Sequence, residues 1–243
     1  MRPILILQHQ TPERPAYLTT WLDRYSIVHE TRNAGRGEAF PSSIEPYAAL
    51  AVMGGGMSAN DPLLSNRQAE ILILQAVIKN RPVIGHCLGG QLMTRALGGV
   101  ISTSPKPEIG WQPIEYKNNP LVEHWFGPTP TPTVIQWHYE SFDIPEGAHL
   151  LASSTACPHQ AWAMGPHLAM QFHIEMDDAK AREWAADQDP KWAQAQMYDT
   201  VQDSTGIIAG IEPYLERHQA TADHIYRQWL SPTEWADKYS FRT

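Results

Sequence analysis

Apolar residues in this chain fall into short runs alternating with stretches of helical period. Ile4 to Leu7 and Leu50 to Met53 are compact apolar runs of the kind that form buried parallel strands, and Ser26 to His29 is expected to add another. Ala16 to Arg24, with Leu18, Trp21 and Leu22 at helical spacing, is expected to form a helix. So is Leu63 to Asn80, with Ile71, Leu74 and Ile78 turned toward the sheet. Asn33 to Pro46 is rich in glycine, proline and polar residues and is expected to be a loop. Beyond Gly98-Gly99, Glu108 to Phe172 carries strand and turn signals, with Pro128 to Pro132 as a loop within it.

One stretch combines both patterns. Pro82 to Met93 reads Pro-Val-Ile-Gly-His-Cys-Leu-Gly-Gly-Gln-Leu-Met: an apolar run to Ile84, a sharp turn, then a helix-compatible segment from Gln91 to Leu97. Gly85 and Gly89 flank Cys87 at two residues on either side and remove β-carbons that would collide where strand meets helix. Such a turn pushes the Cys87 sulfur outward at a helix N-terminus, where free N–H groups and the helix dipole favour a thiolate.

His173, 86 residues beyond Cys87, lies in the stretch Gln171-Phe-His-Ile-Glu175. In an extended segment His173 and Glu175 share a face, so the carboxylate can fix the tautomer and orientation of the imidazole. Nucleophile, base and orienting acid are then all present.

With these motifs in place, the sequence resembles the class I glutamine amidotransferases, which hydrolyse glutamine with Cys, His and Glu in that chain order. The matching residues are Gly85, Cys87, Gly89 and Gln91, then His173 and Glu175. Between them, His138-Tyr139-Glu140 and Leu150 to Ser154 look like the family's glutamine-contacting segment and the strand after it. The resemblance implies a flavodoxin-like α/β domain over residues 1–176, a mostly parallel sheet flanked by helices with a small antiparallel region. It implies release of ammonia through a γ-glutamyl thioester on Cys87, the alternatives being a γ-glutamyl peptidase with the same triad and a catalytically silent binding or regulatory protein on the same fold. It also implies an oxyanion hole formed by an amide of Gly55 or Gly56, in the Gly54-Gly55-Gly56 loop, together with that of Leu88. Gln91, His138, Tyr139 and Glu140 are the implied substrate contacts, with Glu140 on the α-amino group. Two departures stand out: His86 beside the nucleophile, where an apolar residue is usual, and Ile174, where many members carry proline. Glu108-Ile-Gly-Trp111 is assigned to packing.

Composition narrows the partners. The 243 residues carry a net charge of −8 and no Lys/Arg-rich run, which points away from nucleic acid and anionic membranes toward a small molecule or a protein. The expected ligands are glutamine or a γ-glutamyl compound, with no cofactor, and the expected protein partner is a separate acceptor of the ammonia. The two cysteines, Cys87 and Cys157, make no disulfide framework, the histidines show no zinc-type pairing, and the N-terminal apolar run is short for a leader or a membrane span. The expected compartment is the cytoplasm, and no metal is expected. Residues 177–243 hold four of the nine tryptophans. Leu215, Ala222, Ile225 and Trp229 recur there at helical spacing after Pro213, which suits the first turn of a helix in an extension packed on the same domain.

Overall fold

The protein is described from a computed structural model covering residues 1–128 and 132–239; residues 129–131 of the expected loop lie outside the described residues. In chain order the strands are β1 (Ile4–Gln8), β2 (His29–Asn33), β3 (Ala49–Val52), β4 (Val83–His86), β5 (Ile101–Pro113), β6 (Glu115–Tyr116), β7 (Thr133–Phe142), β8 (His149–Ser153), β9 (Ala161–Met164) and β10 (His167–Met170). The helices are α1 (Tyr17–Arg24), α2 (Leu64–Ile78), α3 (Leu88–Ala96), α4 (Pro120–Phe126), α5 (Asp178–Ala185), α6 (Pro190–Ala195), α7 (Ser204–Leu230) and α8 (Trp235–Tyr239).

The main sheet runs β2-β1-β3-β4-β10-β9-β8-β6. It is parallel as far as β10 and antiparallel beyond. With β10 as the fifth parallel strand this is the 2-1-3-4-5 order of flavodoxin-like folds, which bind ligands beyond the carboxyl ends of the strands. β5 and β7 form the separate antiparallel ribbon, with a register shift between Thr103 and Glu108 where Pro105 and Pro107 cannot donate to the ladder. Strands β1, β3 and β4 are buried along their whole length because helices cover both faces. Among the described residues no helix is long and apolar enough to cross a membrane.

The turn between β4 and α3 is as tight as its glycines suggest. A β-carbon on Gly89 would lie 2.0 Å from the Val52 carbonyl oxygen, and one on Gly85 would lie 2.6 Å from the Gly89 carbonyl carbon. Since both obstacles are backbone, Gly89→Ala is expected to cost about 3 kcal/mol, the upper end of overpacking penalties. A thermal melt tests this, and a melt matching the parent protein would refute the close packing.

Several elements depart from the sequence expectation. Helix α2 turns Asn66, Ala69, Leu72, Ile73 and Ala76 inward, while Ile71, Leu74 and Ile78 face solvent. The helix is apolar on two sides, so periodicity does not choose between them. Asn66 does, because its Nδ2 donates to the carbonyls of Ser58 at 3.0 Å and Asp61 at 3.3 Å and fixes the rotation. The second strand lies at β2 rather than Ser26 to His29: Ser26 adopts φ 47° in a turn, and an edge strand of half-buried residues leaves little apolar signal. Helix α3 starts at Leu88, three residues before the expected segment. Pro213 sits inside α7 rather than in its first turn; the helix begins nine residues earlier, where Asp203 caps it by accepting from the Gly206 N–H. An internal proline forfeits one helical hydrogen bond. Tertiary anchoring offsets it: Trp111 donates its indole N–H to the Ile207 carbonyl at 3.0 Å, and a β-carbon on Gly210 would fall 2.1 Å from that ring.

Candidate active site

Three loops at the carboxyl ends of β3, β4 and β10 converge on Cys87. The elbow holds Cys87 at φ 49°, ψ −108°, outside the regions ordinary residues occupy, a strain typical of functional positions. Its backbone N–H donates to the Met170 carbonyl at 2.8 Å, which ties the elbow to the end of β10. The residue is 6% exposed. Its sulfur lies 3.7 Å from the Trp137 carbonyl and 3.5 Å from the Gln171 side-chain amide.

The segment after β10 carries His173 and Glu175 on one face, with His173 Nδ1 at 2.7 Å from Glu175 Oε1. That contact places the Nδ1 proton toward the carboxylate and leaves Nε2 as the ring nitrogen free of it. Burial would lower the His173 pKa; the Glu175 charge and hydrogen bonds with Cys87 and Glu175 outweigh it, so the imidazole is raised to about 10. Glu175 is wholly buried, which by itself would raise its pKa. Lys180 and His173 hold it well below the usual carboxylate range. A β-carbon on Gly54 would lie 2.7 Å from His173 Cε1, so the first glycine of the triple-glycine loop is what lets the imidazole sit against the backbone.

Cys87, Gly55, Gly56, Gln91, His138, Tyr139, Glu140 and His173 line one cleft of about 450 Å³. Gly55 lies against Leu88, whose Cδ2 would be 2.8 Å from a β-carbon there. The Gly56 N–H is already engaged, donating to Gln10 Oε1 at 2.8 Å. Gln91 donates to the Glu140 carbonyl at 3.1 Å and to Gln171 Oε1 at 3.3 Å, bracing the cleft floor. The Tyr139 hydroxyl donates to Asp189 at 3.2 Å.

The His138 ring points away into a buried network. Its Nε2 is 3.0 Å from Glu108 Oε2, its Nδ1 is 3.2 Å from the Ser104 hydroxyl, and Gln160 also donates to Glu108 Oε2 at 2.6 Å. Glu108, read from sequence as packing, is therefore a buried hydrogen-bonding anchor beneath the His138-Tyr139-Glu140 segment. Glu108, His138 and Cys157 each offer a ligand atom within 4.8 Å of the others. The set does not resemble a waiting metal site: its carboxylate Oε2 already meets both His138 and Gln160, and burial pushes the Cys157 thiol up to about 11, so it stays protonated and donates to the His159 carbonyl at 3.4 Å. His86, beside Cys87, is fully buried, with Nε2 3.8 Å from Glu175 Oε2. Burial drives its pKa down to about 4, so it faces that oxygen uncharged.

The sequence reading passed over Gln171, Gln10, Trp137, Trp184 and Lys180. Gln171 stands in the same motif as His173, two residues earlier, where the period of a strand would have placed it on the same face. The others reach the site only through tertiary packing.

Comparison with known proteins gives a consistent family. The model of "Glutamine amidotransferase class-I" matches residues 25–184. The glutamine amidotransferase-like protein YfeJ of Salmonella typhimurium is 34% identical over 185 residues, 72% of this chain and 76% of that protein. Gamma-glutamyl peptidase 3 of Arabidopsis thaliana is 34% identical over 102 residues, 39% of this chain and 41% of its own. A GMP synthase of Bacillus pumilus is 32% identical over 99 residues, 39% of this chain, but the match spans only 19% of that protein. Among solved structures, a glutamine amido transferase from Methylobacillus flagellatus superposes with a TM-score of 0.92 at 33% identity, covering 96% of both chains.

Proposed function

The chain belongs to the class I glutamine amidotransferase family, and from that premise we propose that it hydrolyses the side-chain amide of a glutamyl substrate through a thioester on Cys87. The observation that carries this reading is the strained Cys87 elbow facing the His173–Glu175 pair in one cleft. The Cys87 sulfur attacks the γ-carbonyl carbon, its proton residing on His173. The tetrahedral oxyanion is received by the amides of Leu88 and Gly55, since Gly56 is spoken for by Gln10. Collapse breaks the C–N bond, with His173 delivering its proton to the departing nitrogen. Water, deprotonated by His173, then attacks the thioester, the C–S bond breaks, and glutamate leaves. Glu175 orients the imidazole throughout. Gln91, Tyr139 and Glu140 bound the space for the glutamyl backbone.

A second reading, hydrolysis of γ-glutamyl conjugates larger than glutamine, is favoured by the cleft itself. Its 450 Å³ lies within the range of about 300–1,000 Å³ that accepts drug-sized ligands. Beyond Cys87 its wall continues over Trp184, Asp189 and Lys191, a mixed aromatic and charged surface where a leaving group would sit. The test is a panel of glutamine, γ-glutamyl dipeptides, α-glutamyl dipeptides and asparagine, with glutamate, ammonia and amine release all measured. Turnover of γ-linked glutamyl compounds and none of the α-linked ones is expected. Faster cleavage of γ-glutamyl dipeptides than of glutamine would establish the second reading. Ammonia release from glutamine that rises on adding cell extract would point to a separate acceptor protein. No turnover of any γ-linked compound under either condition would overturn both.

A further inference from the structure

The segment after the His-x-Glu motif brings a cation into the site from behind. Lys180, in the first turn of α5, is completely buried, a state lysine rarely adopts unless paired. Its ammonium donates to Glu175 Oε1 at 2.9 Å and to the Arg14 carbonyl at 3.2 Å, and Glu13 Oε2 lies 3.3 Å away. One turn on, Trp184 places its ring 5.3 Å from the ammonium and stands edge-on to the His173 ring at 4.7 Å and 89°. The start of α5 is clamped in turn. Asp177 caps it by accepting from the Lys180 N–H at 2.7 Å, and Arg14 grips both oxygens of Asp177 at 3.0 and 3.1 Å. Lys180 is absent from the residues lining the cleft.

Resting on the reading of Cys87, His173 and Glu175 as the reacting group, we infer that Lys180 is a positioning residue that pins Glu175 Oε1 against His173 Nδ1 and keeps that carboxylate charged. The two donors share one carboxylate oxygen, so Lys180 fixes which oxygen His173 meets. Glu175 Oε2 has no hydrogen-bond partner among the described residues. The other titratable groups near Glu175 are neutral at physiological pH: His86 on β4 and His218 on α7, both lowered to about 4 by burial, and Tyr226 on α7, raised well above its ordinary value. Apart from His173 itself, Lys180 is thus the cation that offsets Glu175, with Glu13 sharing it and Arg14 committed to Asp177 and Glu183. If Lys180 balances Glu175, the imidazolium of His173 is free to balance a Cys87 thiolate. Without it, a fully buried carboxylate would have to borrow that same imidazolium, and burial would drive the carboxyl toward its protonated form.

The test compares Lys180→Met, Glu175→Gln and the double variant, reading kcat/KM on the best compound of the panel, the pH dependence of Cys87 alkylation by iodoacetamide with the label located by mass spectrometry, and thermal stability. Lys180→Met is expected to lower kcat/KM about tenfold to a hundredfold, the span of coupling seen between residues in one network. It is expected to move the onset of alkylation to higher pH. In the Glu175→Gln background the same change is expected to add less than about threefold, because the group through which Lys180 acts is gone. Should Lys180→Met be too unstable to assay, the double variant, which lacks an uncompensated carboxylate, is expected to melt above it. The inference is overturned by an alkylation profile unmoved in Lys180→Met, by losses that multiply in the double variant, or by a double variant that melts below the single one. Alkylation does not require turnover, so failure of the proposed hydrolysis and failure of this inference give separate results.

Discussion

Replacing Cys87 with alanine is expected to slow hydrolysis of the γ-glutamyl panel by about a millionfold in kcat, the loss seen at other nucleophile–base pairs. No second thiol stands ready to take over. Cys157 lies in the separate Glu108–His138 network and is held protonated by burial. The fold is expected to survive. Alanine keeps the β-carbon and so leaves the φ 49° backbone as it is, and the sulfur it removes makes long contacts to Trp137 and Gln171 and a hydrogen bond with His173. Melting within a few degrees of the parent protein, together with absent turnover and absent labelling by an electrophilic glutamine analogue, is the expected set of results. A folded Cys87→Ala protein that still releases glutamate at a substantial fraction of the parent rate would remove Cys87 from the mechanism.

How far the site could be read in advance depends on how local its determinants are. The elbow was legible because its requirements lie within five residues: glycines at 85 and 89 are needed where the backbones of β3, β4 and α3 nearly touch. The His173–Glu175 contact was legible for a similar reason, since the period of an extended chain alone puts the two side chains on one face. The Gly54-Gly55-Gly56 stretch was legible as a loop but not as a choice of free amide, because what occupies the Gly56 N–H is Gln10, 46 residues away. The inward face of α2 failed for a different reason. Its apolar residues surround the helix, so the deciding term was a pair of hydrogen bonds from Asn66 rather than hydrophobicity. Lys180 was the least legible. A lysine two residues after the run Glu175-Met-Asp-Asp178 reads as solvated surface, and only the docking of α5 against the segment 13–14 turns it inward.

His173→Ala and Glu175→Gln are expected to separate the two remaining roles by rate and by pH. Losing the group that carries the proton should cost nearly as much as losing the nucleophile, about a millionfold in kcat, whereas losing the carboxylate that orients it should cost about ten-thousandfold. The pH dependence carries the sign. Burial pulls the His173 pKa down, and the Glu175 charge is the largest of the effects that lift it to about 10. The neutral amide introduced by Glu175→Gln cannot supply that charge, so the imidazolium should lose its proton at lower pH, and the alkaline limb of kcat/KM should move down. The limb reports the form of His173 able to protonate the leaving nitrogen, so its displacement would appear in the chemical step and not in folding. Profiles of kcat/KM from about pH 5 to 11, a span that brackets the ordinary and the raised imidazole pKa, make the measurement for the parent and Glu175→Gln proteins, with melting curves across the same range. An alkaline limb that stays in place in Glu175→Gln, or a Glu175→Gln loss equal to that of His173→Ala, would mean that Glu175 does not act through the imidazole.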